Sequence, residues 1–104
     1  MAELVWTLDA IRDLDRIGEY IEHDSPAYAA VFVRKIVEAV ENVRDFPRIG
    51  RIVPEFGDES LREVIFQNYR LIYRIAGDRA GVLAVWHSAM DVTRAAQRRR
   101  WDFT

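Results

Sequence analysis

The spacing of apolar residues changes along the chain, and each change predicts a new element. Glu3-Leu4-Val5-Trp6 is a short apolar run that predicts a first strand, ending at Thr7. Over 8–23, apolar residues recur at Ala10, Ile11, Leu14, Ile17, Tyr20 and Ile21, the period of an amphipathic helix. Thr7 is placed to cap that helix, and Asp9 lies where its dipole favours negative charge. Ser25-Pro26 predicts a restart, because serine caps well and proline fits the first helical position. Apolar positions continue at Ala29, Phe32, Val33, Ile36, Ala39, Val40 and Val43. This second helix should stop near Asp45-Phe46, since Pro47 disfavours helical geometry before it. So short a link predicts an antiparallel helical hairpin.

The period then shortens. Residues 46–60, FPRIGRIVPEFGDES, read as a loop from their Pro and Gly content. Strands are predicted at 61–66, 69–76 and 81–87, with Gln67-Asn68 and a second turn around Gly77-Asp78 between them. Consecutive strands joined by short turns are antiparallel neighbours. The expected fold is α+β: an N-terminal strand, then a helical hairpin on one face of a mainly antiparallel sheet, in the order β-α-α-β-β-β. Residues 1–104 are expected to form a single domain, without internal repeats or a linker.

A two-residue turn at Gln67-Asn68 pairs Phe66 with Tyr69, Val64 with Leu71 and Arg62 with Tyr73. Val64, Phe66, Leu71, Tyr73 and Ile75 then face the helices, and Arg62 sits on that side at a strand end. Leu61, Glu63, Ile65, Arg70, Ile72 and Arg74 face the other way. If 77–80 form the next turn, Trp86 joins the core side and His87 lies on the second side, directly across from Arg70. The arginines would then project from an open sheet face. A one-residue slip reverses these assignments.

Composition narrows the chemistry. The net charge of −2 conceals an asymmetry. Residues 1–60 hold seven Lys and Arg against thirteen Asp and Glu, whereas residues 61–104 hold eight Arg against four acids. An anionic partner would therefore be drawn to the C-terminal part. There are no cysteines, which excludes disulfides and thiolate metal sites. His23 and His87 are too far apart for a dedicated zinc site, so no metal and no cofactor are expected. No signal-peptide pattern opens the chain, and no apolar stretch approaches the roughly 20 residues that cross a bilayer. A cytoplasmic location away from membranes is the expectation. Arg48 and Arg51 lack the glycine pattern and lysine of a phosphate loop, which argues against nucleotide binding. Residues 94–103, RAAQRRRWDF, read as a short helix or a tail whose Trp101 and Phe103 pack on the sheet. Arg98, Arg99 and Arg100 on this segment suit docking to an acidic partner, with Trp101 as an anchor.

Several pieces together resemble one family. They are VWTLDAIRDLDRIGEYIEHDSPAYAAVFVRKI in the helices, FPRIGRIVPE in the loop, LRE and YRLIYRI in the hairpin, and VLAVWH in the last strand. In this order they resemble the RelE/ParE superfamily of toxins from type II toxin–antitoxin systems. The resemblance implies a helical hairpin on an antiparallel sheet and a toxin held by a cognate antitoxin. It also implies one of two targets: the ribosome and its mRNA for RelE-like ribonucleases, DNA gyrase for ParE-like members. Arg70 matches the arginine of the YR motif, and His87 matches a position often basic in the family.

For a metal-independent ribonuclease, Arg70 and His87 are the catalytic candidates. Cleavage through a 2′-hydroxyl needs a base, an acid and cations for the phosphorane. Here the chain departs from the ribonuclease pattern. Glu63 and Ile65 stand where the ribonucleases place basic groups. Ser88-Ala89-Met90-Asp91 lacks their arginine, and no tyrosine follows Tyr73. The departures favour the ParE-like branch, whose activity would rest on a protein-binding surface. Arg62, Glu63, Arg70, Arg74, His87, Arg98, Arg99 and Trp101 are the candidates for target or partner binding.

Overall fold

The computed structural model describes residues 1–103. The elements are β1 (Glu3–Trp6), α1 (Leu8–Asp24), α2 (Pro26–Glu41), β2 (Arg51–Ile52), β3 (Leu61–Phe66), β4 (Tyr69–Ala76), β5 (Arg79–His87) and α3 (Val92–Ala96). The five strands form one sheet in the order β1-β5-β4-β3-β2. All neighbours are antiparallel except β1 and β5. Among the described residues, no helix is long and apolar enough to cross a membrane.

Thr7 connects the first strand to the helical layer. Its Oγ1 accepts the Ala10 N–H at 3.2 Å and donates to the Val82 carbonyl at 2.8 Å. The cap is thus fastened to the sheet, and α1 starts at a fixed angle over it. Ser25 behaves differently from expectation. Its side chain makes no cap bond to α2, while its backbone N–H closes α1 on Ile21. Helix α2 ends at Glu41, short of the Asp45-Phe46 boundary read from the pattern. Val43 and Arg44 instead donate to Val40 and Glu41 in tight turns, which keeps Val43 fully buried. The presumed loop 46–60 also contains β2, a two-residue edge strand pairing with Arg62 and Glu63.

The first hairpin has the expected register: Phe66 pairs with Tyr69, Val64 with Leu71 and Arg62 with Tyr73. Leu71, Tyr73, Val82 and Val85 meet Leu14, Phe32, Ile36 and Val40 beneath the helices. The second hairpin differs. Its turn is Gly77-Asp78 alone, with Gly77 at φ +60, so β5 begins at Arg79. Tyr73 pairs with Val82 and Ile72 with Ala84, leaving Leu83 without a partner on β4. This β-bulge turns Leu83 and Ala84 toward the same side and reverses the phase of the strand beyond it. Trp86 therefore pairs with Arg70 on the second face, and His87 pairs with Tyr69 on the helical side. The expectation that His87 lies across from Arg70, with Trp86 in the helical core, is corrected by this register.

The second face is also not open, contrary to the sequence reading. Val53, Leu61, Ile72, Leu83, Ala84, Trp86 and Val92 form a second buried cluster, with Trp101 and Phe103 packed on it. Helix α3 occupies 92–96 and not the predicted 94–103; the chain then runs without regular structure to Phe103. Trp101 stacks on Trp86 with ring centroids 5.5 Å apart. Phe103 lies directly over Gly81, where any Cβ would run into the ring.

Tyr73 ties the core to the loop before β2. Its buried hydroxyl accepts the Gly50 N–H at 3.0 Å and donates to the Pro47 carbonyl at 2.6 Å. Burial pushes its pKa upward, so the phenol stays protonated to donate. Tyr73→Phe leaves both backbone groups without their partner and should cost about 1–3 kcal/mol in denaturant unfolding. An unchanged unfolding midpoint would show that water replaces the hydroxyl at no cost.

Candidate functional site

The arginines of the hairpin are engaged by acids that neighbour them only after folding. On β3, Glu63 points away from the helices and is fully buried. Arg70, diagonal to it on β4, donates from Nε to Glu63 Oε1 at 2.5 Å. The other Glu63 oxygen accepts from Arg51 Nε of β2 at 2.6 Å. Arg70 then clasps Glu55, from the loop after β2, with Nη1 and Nη2 at 2.6 and 2.7 Å. The resulting chain is Arg51–Glu63–Arg70–Glu55, with the Arg70 side chain only 8% exposed. Charge balance at such a site is required, because a lone buried ion costs several kcal/mol.

The protonation states follow from this geometry. The Arg70 guanidinium, through its hydrogen bonds, lowers the Glu55 pKa from 4.5 to about 2. Reciprocally, Glu55 above all, and Glu63, hold the Arg70 pKa above its ordinary value. Both groups are charged throughout the physiological range.

Arg74 and Arg62 act as clamps. Arg74 donates from Nε to the Trp101 carbonyl at 2.9 Å and from Nη1 to Ser60 Oγ at 2.7 Å, with Asp58 at 3.2 Å. It thereby fastens the C-terminal segment to the loop before β3. Arg62, on the helical side, donates to the Glu59 carbonyl at 2.9 Å and the Gly50 carbonyl at 3.0 Å. Both loop ends are gathered on one guanidinium.

A different set of residues lines a groove at the free end of β5. Strand β1 pairs with β5 only as far as Val82. Beyond it, a side-chain pair stands in for the missing strand. Asp13 of α1 accepts the Val85 N–H at 3.0 Å and both terminal nitrogens of Arg99 at 2.6 and 2.9 Å. Arg99 also donates to the Leu83 carbonyl at 3.2 Å and lies 5.0 Å over the Trp86 ring. The Asp13 hydrogen bond raises the Arg99 pKa. In the sequence Asp13 falls on the apolar stripe between Ala10 and Leu14, and in the fold it is buried with them. The groove beside this pair has a volume of about 750 Å³ and includes Arg16, Tyr20, Tyr69, His87, Met90 and Arg98. His87 is exposed, its Nδ1 accepts the Ala89 N–H at 3.0 Å, and its ring meets Tyr69 edge-on. Burial raises the Tyr69 pKa, with Tyr20 as the lesser cause.

The eight sequence candidates thus fall into separate places. Glu63 and Arg70 share the buried network; Arg62 and Arg74 are clamps; His87, Arg98 and Arg99 line the groove; Trp101 packs on the second face. Glu55, Arg51, Asp13, Arg16 and Tyr20 complete these groupings and were not among the binding candidates. Among the described residues, no group of three or more His, Cys, Asp or Glu is placed to hold a metal ion.

Comparisons with known proteins place this geometry in context. Residues 4–92 match the family model described as the ParE toxin of the type II toxin–antitoxin system parDE. The chain is 41% identical over 88 residues to Y4kP of Sinorhizobium fredii, covering 80% of this chain and 84% of that protein. It is 30% identical over 90 residues to toxin RelE2 of Caulobacter vibrioides, covering 86% and 98%. Two solved structures share the fold. One is from the chromosomal ParDE system of P. aeruginosa, with a TM-score of 0.73 at 24% identity over 84% of this chain and 96% of that one. The other is from the RelBE2 toxin–antitoxin complex of Mycobacterium tuberculosis, with a TM-score of 0.57 at 24% identity over 83% and 96%.

Glu63→Ala leaves Arg70 short of a buried partner and should destabilise by about 3–5 kcal/mol. Arg51→Ala removes an arginine whose side chain is 58% exposed and should cost under about 1 kcal/mol in the same denaturant assay. Equal losses would refute the buried network. Because Glu55 has a lowered folded pKa, its stabilisation is complete above pH 4.5 and lost as pH falls toward 2. Glu55→Gln should flatten that part of the stability–pH curve.

Proposed function

Because the chain belongs to the ParE toxin family of type II toxin–antitoxin systems, we propose that it is a gyrase-directed toxin, active through a protein-binding surface and neutralised by a cognate antitoxin. The observation that carries this reading is the state of Arg70. Its guanidinium is taken up by Glu55 and Glu63, so the hairpin face offers no unpaired Arg70 cation to a phosphorane. The departures at Glu63, Ile65 and Ser88–Asp91 point the same way. RNA cleavage depends on charge stabilisation at the developing oxyanions, and a pre-neutralised arginine supplies little of it.

The ribonuclease reading retains one observation. His87 shares the groove with Arg98, and its Nε2 remains available because Nδ1 is occupied by Ala89. Histidine is the side chain most often used for proton transfer in catalysis. Tyr69 is a poor second proton donor beside it, since burial raises its pKa. On either reading the antitoxin is the expected partner and the cytoplasm the expected site of action.

The purified chain is expected to inhibit gyrase supercoiling while mRNA stays intact in a translating extract. His87→Gln should keep that inhibition. Cut mRNA with normal supercoiling, lost by roughly 10²-fold or more in His87→Gln, would establish the ribonuclease instead.

A further inference from the structure

The sheet has a second unfinished edge, on the side of α2. Strand β2 covers β3 only at Arg62 and Glu63, so Val64, Ile65 and Phe66 have no strand beyond them. A trough of about 330 Å³ runs between this edge and α2, among Ala39, Asn42, Ile49, Val64 and Ile65. Ile49 and Ile65 are 55% and 49% exposed, and Phe46, whose carbonyl accepts the Ile49 N–H, is 65% exposed. The flank of α2 above the trough carries one stripe. Tyr28, Val31, Lys35, Glu38 and Asn42 follow one another at alternating steps of three and four residues, the spacing of a seam between two helices. The other flank is taken by α1, where Val33 lies against Gly18. Tyr28 is half exposed, at the end of α2 where Phe32 meets Phe66. Lys35 is exposed and has no ion pair or side-chain hydrogen bond among the described residues. Glu38 comes no nearer to Arg34 than 4.0 Å, and both side chains are about two-thirds exposed.

We infer that this flank pairs with a second copy of the chain, α2 against α2 in antiparallel sense about a two-fold axis. The stripe is self-complementary in that arrangement and in no parallel one. An axis midway between Lys35 and Glu38 sets Lys35 of each copy against Glu38 of the other, so one contact is made twice. The same axis sets Val31 of one copy against Asn42 of the other, and brings Tyr28 to Phe46. The backbone supports this reach, because the Phe46 N–H donates to Asn42 and continues the turn beyond α2. Tyr28 and Val31 of each copy then enter the trough of the other, against Ile49 and Ile65. A foreign strand added at Ile65 would leave the stripe uncovered and Lys35 unpaired. The contact is short, since the 16 residues of α2 span roughly 24 Å. It belongs with small, transient interfaces, and the dimer is accordingly weak and concentration-dependent. The inference goes beyond the gyrase reading and is independent of the target.

The test is sedimentation equilibrium of the full chain alone, at concentrations up to about 1 mM. A monomer–dimer equilibrium is expected. Lys35→Glu and Glu38→Lys should each weaken it at least about tenfold, because each sets like charges against one another twice. Arg12→Glu, on the exposed side of α1, should leave it unchanged. Mixing Lys35→Glu with Glu38→Lys is decisive. Each variant then meets the opposite sign on the other, and a heterodimer should form where neither variant dimerises alone. That rescue also shows that both variants are folded. A monomer throughout the range, a dimer that survives either single reversal, or a mixture that stays monomeric would each overturn the inference.

Discussion

One unpaired residue in β5 decides what each face of this sheet can do. Leu83 has no partner on β4, and from that point the strand presents its side chains in the opposite phase. Without the bulge, Trp86 would lie beneath the helices. With it, Trp86 lies opposite Arg70, receives Trp101 as a stacking partner and supports the guanidinium of Arg99. His87 is carried to the other side, against Tyr69 and into the groove. The arginine and the histidine that a ribonuclease would use together are thereby set on opposite faces.

The second face is closed by electrostatics and aromatic packing acting jointly. Glu63 and Glu55 compensate Arg70, and Arg74 holds the Trp101 carbonyl. The C-terminal segment then lies flat enough to cover Leu83, Ala84 and Gly81. Gly81 has no side chain, which lets the Phe103 ring approach the strand. Asp13 and Arg99 finish the sheet edge where β1 stops, a polar substitute for a strand that also protects exposed backbone groups from pairing with another chain.

Much of this architecture could be read from the residues. The helical periods, the Thr7 cap and the Phe66–Tyr69 hairpin depend on local spacing and turn chemistry, which the sequence carries directly. The faces of β3 and β4 followed from the same turn. The end of β5 did not, because a bulge leaves no mark in a run such as Ala-Gly-Val-Leu-Ala-Val-Trp, apolar on both faces. Arg70 was identified, but its partner Glu55 is separated from it by 15 positions and one loop. An open cationic face was expected because such a pairing is a tertiary fact. Asp13 is a similar case, since its half-buried partner Arg99 lies 86 residues away.

The phase of β5 is most directly tested by proton–proton contacts of the Trp86 indole in solution. The account predicts cross-peaks from Trp86 to Trp101 and none to Phe32 or Ile36. Contacts between Trp86 and those helical residues would mean that the bulge is absent, and that Arg70 and His87 share a face after all.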